Sequence, residues 1–381
     1  MSKKAIVVGG GYFGCSIAYY LAKNKIKTIL VEQNEVGSGS SGGNFGCVQV
    51  QDSEPGLSLE LTLEGYQRVQ QLEKEFNLDL EYREMGSLLI AENEKDMSFL
   101  IEQAKIKQSW GLKIDLLDRN ELKRVEPNLS TDSIRGASYC KQGHLNGFKL
   151  MNAFIGQGKR YGLEVWERTK VKKVIAAGNT CKGVELASGE KLYGDYVILA
   201  TGAWTKELCK SLGLNVPIEY VKAEAFVTEQ IQPFLINYFS LASFFTEAHG
   251  QDETTTSFCC VQTKSGNLLL GETSKPGLVS TEESGTRNSR EHCLGIYQEV
   301  RKFFPSLLNL NILRSWTTYS PYTVSHIPVF GEVEVQNLIL AAGFKSAVVL
   351  TPIVGEIVTD IVRGERLKYD LSQFTQQSRL A

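Results

Sequence analysis

Ile6-Val7-Val8-Gly9-Gly10-Gly11-Tyr12-Phe13-Gly14 opens the chain with a short apolar strand that runs straight into a G-x-G-x-x-G turn. Residues 16–25 then read as a helix with Ile17, Ala18 and Leu21 on one face. Residues 27–31 form a second strand that ends at Glu32. Each part has a physical job. Gly9 permits the tight turn, Gly11 lets the backbone approach a pyrophosphate, and Gly14 lets helix and strand pack closely. The helix start offers free N–H groups to an anion. Glu32 stands where a carboxylate accepts hydrogen bonds from both ribose hydroxyls of an adenosine, and Gln33 lies beside it. An acid at this position disfavours a 2′-phosphate, which leaves FAD or NAD.

The rest of the chain narrows the class. A length of 381 residues fits two domains, and 42% apolar content is that of a globular protein. A net charge of −2 argues against nucleic acid, which calls for a basic face. Met1-Ser2-Lys3-Lys4 runs directly into the first strand, so no targeting peptide is expected. No apolar run reaches the roughly 18 residues of a membrane span. The eight scattered cysteines form no C-x-x-C pair, so reduced thiols and a cytoplasmic location are expected. The four dispersed histidines give no ligand spacing, and no metal is expected.

Farther along, residues 36–46 are small and polar, which suits a loop pressed against a ligand. Helices are predicted over 60–76, 94–110 and 120–125, with strands over 82–91 and 112–117. Gly143-His144-Leu145-Asn146-Gly147 is predicted to start a helix reaching Tyr161. Four short strands follow between 163 and 193. The apolar strand 196–200 ends in Thr201-Gly202-Ala203-Trp204. Residues 217–316 read as β-rich, with one helix over 291–304. A last strand, 337–342, enters Gly343-Phe344-Lys345-Ser346-Ala347-Val348-Val349 and a long helix that stops at Gly364.

Three strand–glycine junctions in this order, at Gly9–Gly14, Thr201–Trp204 and Gly343–Phe344, resemble the D-amino-acid-oxidase-like flavoprotein superfamily of the glycine oxidase and sarcosine oxidase type. Gly37 to Gln51 looks like its flavin loop, and Gly266-Asn267-Leu268-Leu269-Leu270-Gly271 looks like a strand of its substrate domain. Pro321, Thr323, Pro328 and Gly331 match its approach to the last strand. The loop wording and the Gly143-His144-Leu145-Asn146 string look nearest to subunits of hetero-oligomers such as hydrogen cyanide synthase and opine oxidase.

The resemblance implies an α/β FAD-binding Rossmann-like domain interleaved with an α+β antiparallel-sheet substrate domain. Residues 1–82, 144–218 and 319–381 would form the first, and 83–143 and 219–318 the second. By position, Tyr12 and Phe13 amides would hold the pyrophosphate, and Ser40 and Ser41 would bond phosphates. Gly46, Cys47 and Val48 would line the isoalloxazine. Val171 would meet the adenine, and Gly343 to Val349 would face the flavin pyrimidine edge. A helix N-terminus there stabilises the negative charge of reduced flavin.

The implied chemistry is removal of a hydride from the carbon beside an amine, with the cofactor performing the redox step. No dedicated base is required. A cation for a substrate carboxylate is expected, usually Arg, yet this chain has Ser320 and Ser325 where the family pattern has an Arg and an acid. Lys345 is the candidate substitute, and it would hold either a substrate carboxylate or the flavin N1–C2=O. Gln49, Gln51, Tyr319 and Tyr322 are the candidate substrate residues. Residues 314–325 contain no Cys of the kind that links FAD covalently in sarcosine-oxidase-like members, so noncovalent FAD is expected. Leu269 replaces a Lys that serves oxygen activation there, which favours a dehydrogenase passing electrons to another centre; a partner subunit, and a second flavin (FMN) at its interface, would leave no mark in this chain. The alternatives are a non-catalytic or degenerate flavoprotein subunit and an NAD-dependent dehydrogenase.

Overall fold

The computed structural model of the protein describes residues 3–243, 255–276, 290–323 and 325–376. Parts of the predicted β-rich region, 244–254 and 277–289, lie outside the described residues.

A six-stranded sheet forms around Lys4–Val8. This strand pairs in parallel with Lys27–Val31 on one side and with Tyr196–Leu199 on the other. Glu164–Trp166 extends the first flank, and Leu338–Ala342 then antiparallel Val329–Glu332 extend the second. Ala5, Ile6 and Val7 are fully buried, because helices cover one face of the central strand and a three-stranded antiparallel sheet, Val171–Ala177, Thr180–Leu186 and Lys191–Tyr193, packs on the other. Three helices stack on one face. Tyr12–Lys23 packs against Gly147–Arg160 and Ala347–Arg363, through a core that includes Ile17, Leu21, Phe154, Val349 and Val358. Ser16 Oγ donates to Thr351 O at 2.7 Å, and the rings of Phe13 and Phe344 lie 4.6 Å apart. The first helix and the last long helix are therefore neighbours.

A nine-stranded sheet forms the second layer. Arg83–Ala91 and Gly136–His144 pair over their whole length, and Ile218–Gln230 is flanked by Asn267–Pro276 and Ile312–Thr323. Its far face packs under Arg290–Phe303 through Phe239, Phe258 and Phe303. The strands do not keep to the expected segment limits. Cys47–Val48 joins this sheet by pairing with Gly136–His144, and Ile312–Thr323 runs unbroken across residue 319.

Local readings shift in three places. The first helix begins at Tyr12, directly on the glycine turn, not at Ser16. Gly143 and His144 end a strand instead of starting a helix. Asn146 is the true N-cap, its side chain accepting from Phe148 N and Lys149 N. The loop after Val36 contains a helical turn, Ser40–Gly43. All eight cysteines are free thiols. No helix among the described residues is long and apolar enough to cross a membrane.

Candidate functional site: one cavity between two glycine turns

A cavity of about 790 Å³ runs between the two sheets. It touches Gly9 to Phe13, Glu32 and Gln33, Ser40 and Ser41, Val171, Thr201, Gly202 and Trp204, and Gly343 to Ala347. Residues separated by most of the chain thus share one wall.

At the first end the walls are backbone. Gly9 has φ +103°, and a Cβ there would meet Ala200 O at 2.5 Å. A Cβ on Gly14 would collide with the Gly9 carbonyl, so Gly14 packs beneath the turn and does not line the cavity. The N-cap of the first helix is Gly11, which has no capping side chain, so the first-turn N–H groups need an outside acceptor. One acceptor is supplied within the chain, because Tyr12 N donates to Ser41 Oγ at 3.1 Å. Ser40 Oγ donates to Tyr319 O. The Glu32 carboxylate is buried and accepts from Gly10 N at 2.6 Å and Asn34 N at 2.8 Å. These bonds fix it at the cavity edge beside Gln33 and Val171.

At the other end the chain presents a second uncapped helix start. Ser346 is the N-cap of Ala347–Arg363, with φ 52° and no side-chain cap, and its Oγ is buried without a partner. Cys47 lines the cavity, and burial drives its thiol far above the ordinary range, so it is an inert filler. Behind it, His144 faces Cys47 and Arg83 across the sheet. Burial and then the Arg83 charge hold His144 down to about 4, so it is neutral. Two buried nitrogens of Arg83 have no partner.

The second sheet closes this end with Tyr238, Ser240 and Cys259, joined by Gln49, Asp52, Ser320, Tyr322 and Lys345. Lys345 Nζ is bonded to Glu54 Oε1 at 2.6 Å. Burial opposes the charge on Glu54, but that bond wins and holds its carboxyl below the usual range. Some expected residues stand elsewhere. Strand alternation turns Ser320 and Tyr322 to the cavity and Tyr319 away, onto a cluster with Trp204. Gln51 is buried against the sheet, donating to Ser87 Oγ at 2.7 Å and accepting from Ser138 at 3.2 Å. Gly46, Val48, Val348 and Val349 lie behind the wall, the three valines in the core.

Sequence reasoning missed Asp52, Tyr238, Ser240 and Cys259, and the lysines 170 and 172 beside Val171. Only the lysines carried a signal, through their adjacency to a named site residue. Among the described residues no group of three or more His, Cys, Asp or Glu is placed to hold a metal ion.

Two uncapped helix starts, a glycine cradle that a Cβ would fill and a buried acid at the edge fit an adenine dinucleotide laid along this cavity. The arrangement defines a dinucleotide-dependent oxidoreductase. Residues 4–361 match the family described as FAD-dependent oxidoreductase, DAO, and the chain belongs to it. Glycine oxidase from Geobacillus kaustophilus is 25% identical, over 97% of this chain and 95% of its own. The crystal structure of that enzyme superposes with a TM-score of 0.86, at 23% identity and 98% coverage of both chains. Hydrogen cyanide synthase subunit HcnC from Pseudomonas protegens is 24% identical, over 97% of this chain and 94% of its own. L-proline dehydrogenase from P. horikoshii superposes with a TM-score of 0.85, at 23% identity, covering 99% of this chain and 97% of its own. Membership makes FAD the cofactor and sets the NAD alternative aside.

Proposed function

We propose that this FAD-dependent oxidoreductase oxidises a C–N bond, taking hydride from the carbon beside the nitrogen of an amine or secondary-amine amino acid, and that it works as a dehydrogenase subunit with a partner that carries electrons onward. One observation carries the reading. The cavity that holds both glycine turns continues into a polar end bounded by Gln49, Asp52, Tyr322 and Lys345 and roofed by the second sheet. Bound FAD supplies a hydride acceptor at N5. The chain supplies position, exclusion of water and charge.

In this reading the Gly9–Phe13 turn holds the pyrophosphate and Glu32 the adenosine ribose. The Ser346–Ala347 helix start faces the flavin pyrimidine edge. Residues 1–82, 144–218 and 319–381 carry the cofactor, while 83–143 and 219–318 roof the substrate. Lys345 holds a substrate carboxylate or the flavin N1–C2=O. The absence of Cys from 314–325 supports noncovalent FAD. Leu269 packs with Cys47, Tyr238 and Cys259 in an apolar cluster, leaving no cation at that position to assist oxygen, which supports a dehydrogenase. Relatives named as subunits, of hydrogen cyanide synthase and of opine oxidase, support a partner subunit.

The test is anaerobic bleaching of the bound flavin by glycine, sarcosine, proline, hydroxyproline and opines. Bleaching by a carboxylated amine, with little peroxide on admitting air, is the expected result. Ser320, which lines the cavity where an Arg is expected, favours one second reading, a flavoprotein without catalysis. That reading expects yellow protein that no amine bleaches.

A further inference from the structure

The loop 49–54 places one carboxylate where the reading above assigned no role. Asp52 lines the main cavity beside Gln49, Tyr238 and Lys345. Gln49 Nε2 donates to its Oδ2, while Oδ1 is buried with no hydrogen-bond partner. A buried carboxylate oxygen left bare at a cavity wall costs free energy, unless a donor arrives from the cavity. The flavin pyrimidine edge offers a carboxylate one neutral donor, N3–H, set between two carbonyl oxygens that repel it, whereas a substrate ammonium brings a full charge and several donors.

We propose that Asp52 binds the substrate's ammonium group through Oδ1 and takes its proton, leaving the neutral amine from which hydride can depart. This rests on the reading that the chain oxidises a C–N bond. The step balances. One N–H bond breaks as the O–H bond of the Asp52 acid forms. Bound FAD would then accept the hydrogen and its electron pair from the α-carbon, and the nitrogen lone pair would close the C=N bond. The substrate is oxidised by two electrons to an iminium ion, which water hydrolyses.

Asp52 has a setting suited to this exchange. Burial raises its carboxyl to about 6, with Lys107 and Lys345 opposing that rise, so it is ionised but basic at neutral pH. The charged or titratable groups around it come from every packed element. Lys107 comes from helix Glu94–Ser109, Cys140 from Gly136–His144, Tyr238 from its own strand, Cys47 from the flavin loop, and Glu54 and Lys345 from the two loops. Lys107 donates to Gln51 O and Lys345 to Glu54, while Asp52 Oδ1 carries no hydrogen bond.

The proton also has an exit. A side pocket of about 140 Å³ opens on the far side of Asp52, lined by Glu54, Gln103, Lys107, His326 and Lys345. It has room for several waters. Glu54 is 41% exposed, which connects the pocket to solvent.

The test compares wild type with Asp52→Asn and Asp52→Glu, each loaded with FAD. Flavin bleaching by the best amine of the panel is followed anaerobically from pH 5 to pH 10. Wild type is expected to lose rate as pH falls through about 6, where Asp52 protonates. Asp52→Asn is expected to be slower by about 10²–10⁴-fold at pH 7, to recover toward the pKa of the free amine, and to lack the acid limb. Asp52→Glu restores part of the rate. Without activity as a readout, the infrared spectrum of wild type should gain a carboxylic acid band near pH 6 that Asp52→Asn lacks. An Asp52→Asn profile superimposable on wild type overturns the proposal. If Asp52→Asn does not fold, a wild-type profile without the acid limb overturns it equally. Yellow wild type that no amine bleaches sinks the underlying C–N reading, a distinct result.

Discussion

At the Gly9 end of the cavity the wall is main chain, and its dimensions are set by contacts that admit no extra carbon. At the Asp52 end the wall is side chains from several separate segments, where an exchange alters charge and shape without forcing the backbone to move. In the proposed reading the first end binds a part of the cofactor that is the same in every FAD, and the second meets the substrate. That contrast explains why Gly9, Gly11, Gly14 and Glu32 follow a shared spacing while Ser320, Ser325 and Lys345 depart from it. A backbone-built site is held by sterics, and a side-chain-built site is open to change of charge.

The contrast breaks most sharply at Gly14. Gly14→Val drives carbon into the Gly9 carbonyl, and the purified protein should be colourless, with no flavin absorbance. A yellow variant with a full complement of FAD refutes a cradle defined by close approach.

Next in size is Lys345→Met. If Lys345 holds a carboxylate, loss of a charged hydrogen bond worth about 2–3 kcal/mol raises KM for a carboxylated amine roughly 100-fold. An amine without a carboxylate keeps its KM. Equal loss for both assigns Lys345 to the flavin instead.

His144 lies on the seam between the two ends. Its folded pKa, about 4, is depressed below that of the unfolded chain. The unfolded state therefore takes up a proton first as pH falls. The stability contribution is present above the unfolded value and is lost between about 6.5 and 4. Unfolding in denaturant should show wild type losing about 2 kcal/mol between pH 7 and pH 5 from this group. His144→Asn should remove that part of the acid slope.

The smallest effect is expected at Glu32. Glu32→Gln keeps the shape and removes the charge, so FAD should bind about tenfold more weakly in a fluorescence titration. A change much larger than that would show that Glu32 holds the Gly10–Asn34 loop together more than it holds the ribose.

How far these features can be read in a linear sequence follows the same division. The glycine turns are legible because steric exclusion leaves a mark at fixed positions, and the apolar strands before them carry the layer order. The strand Gly136–His144 was not foreseen. Its small and polar residues show no alternation, and it is defined by pairing with Arg83–Ala91 far away in sequence. Gln51 and Tyr319 were expected at the substrate and turn away from the cavity, Tyr319 because facing depends on the register of the sheet and Gln51 because its turn lays it onto Ser87 and Ser138. Asp52 looks like any acid in a polar turn until Lys107, Gln49 and Tyr238 surround it.

The packing of Tyr12–Lys23 on Ala347–Arg363 has a consequence for biosynthesis. The nucleotide cradle is synthesised long before its opposite wall, Leu338–Ala342 and the helix starting at Ala347. A growing chain therefore exposes a half-built groove over the whole interval between them, and tight retention of the prosthetic group waits for that distant helix to dock.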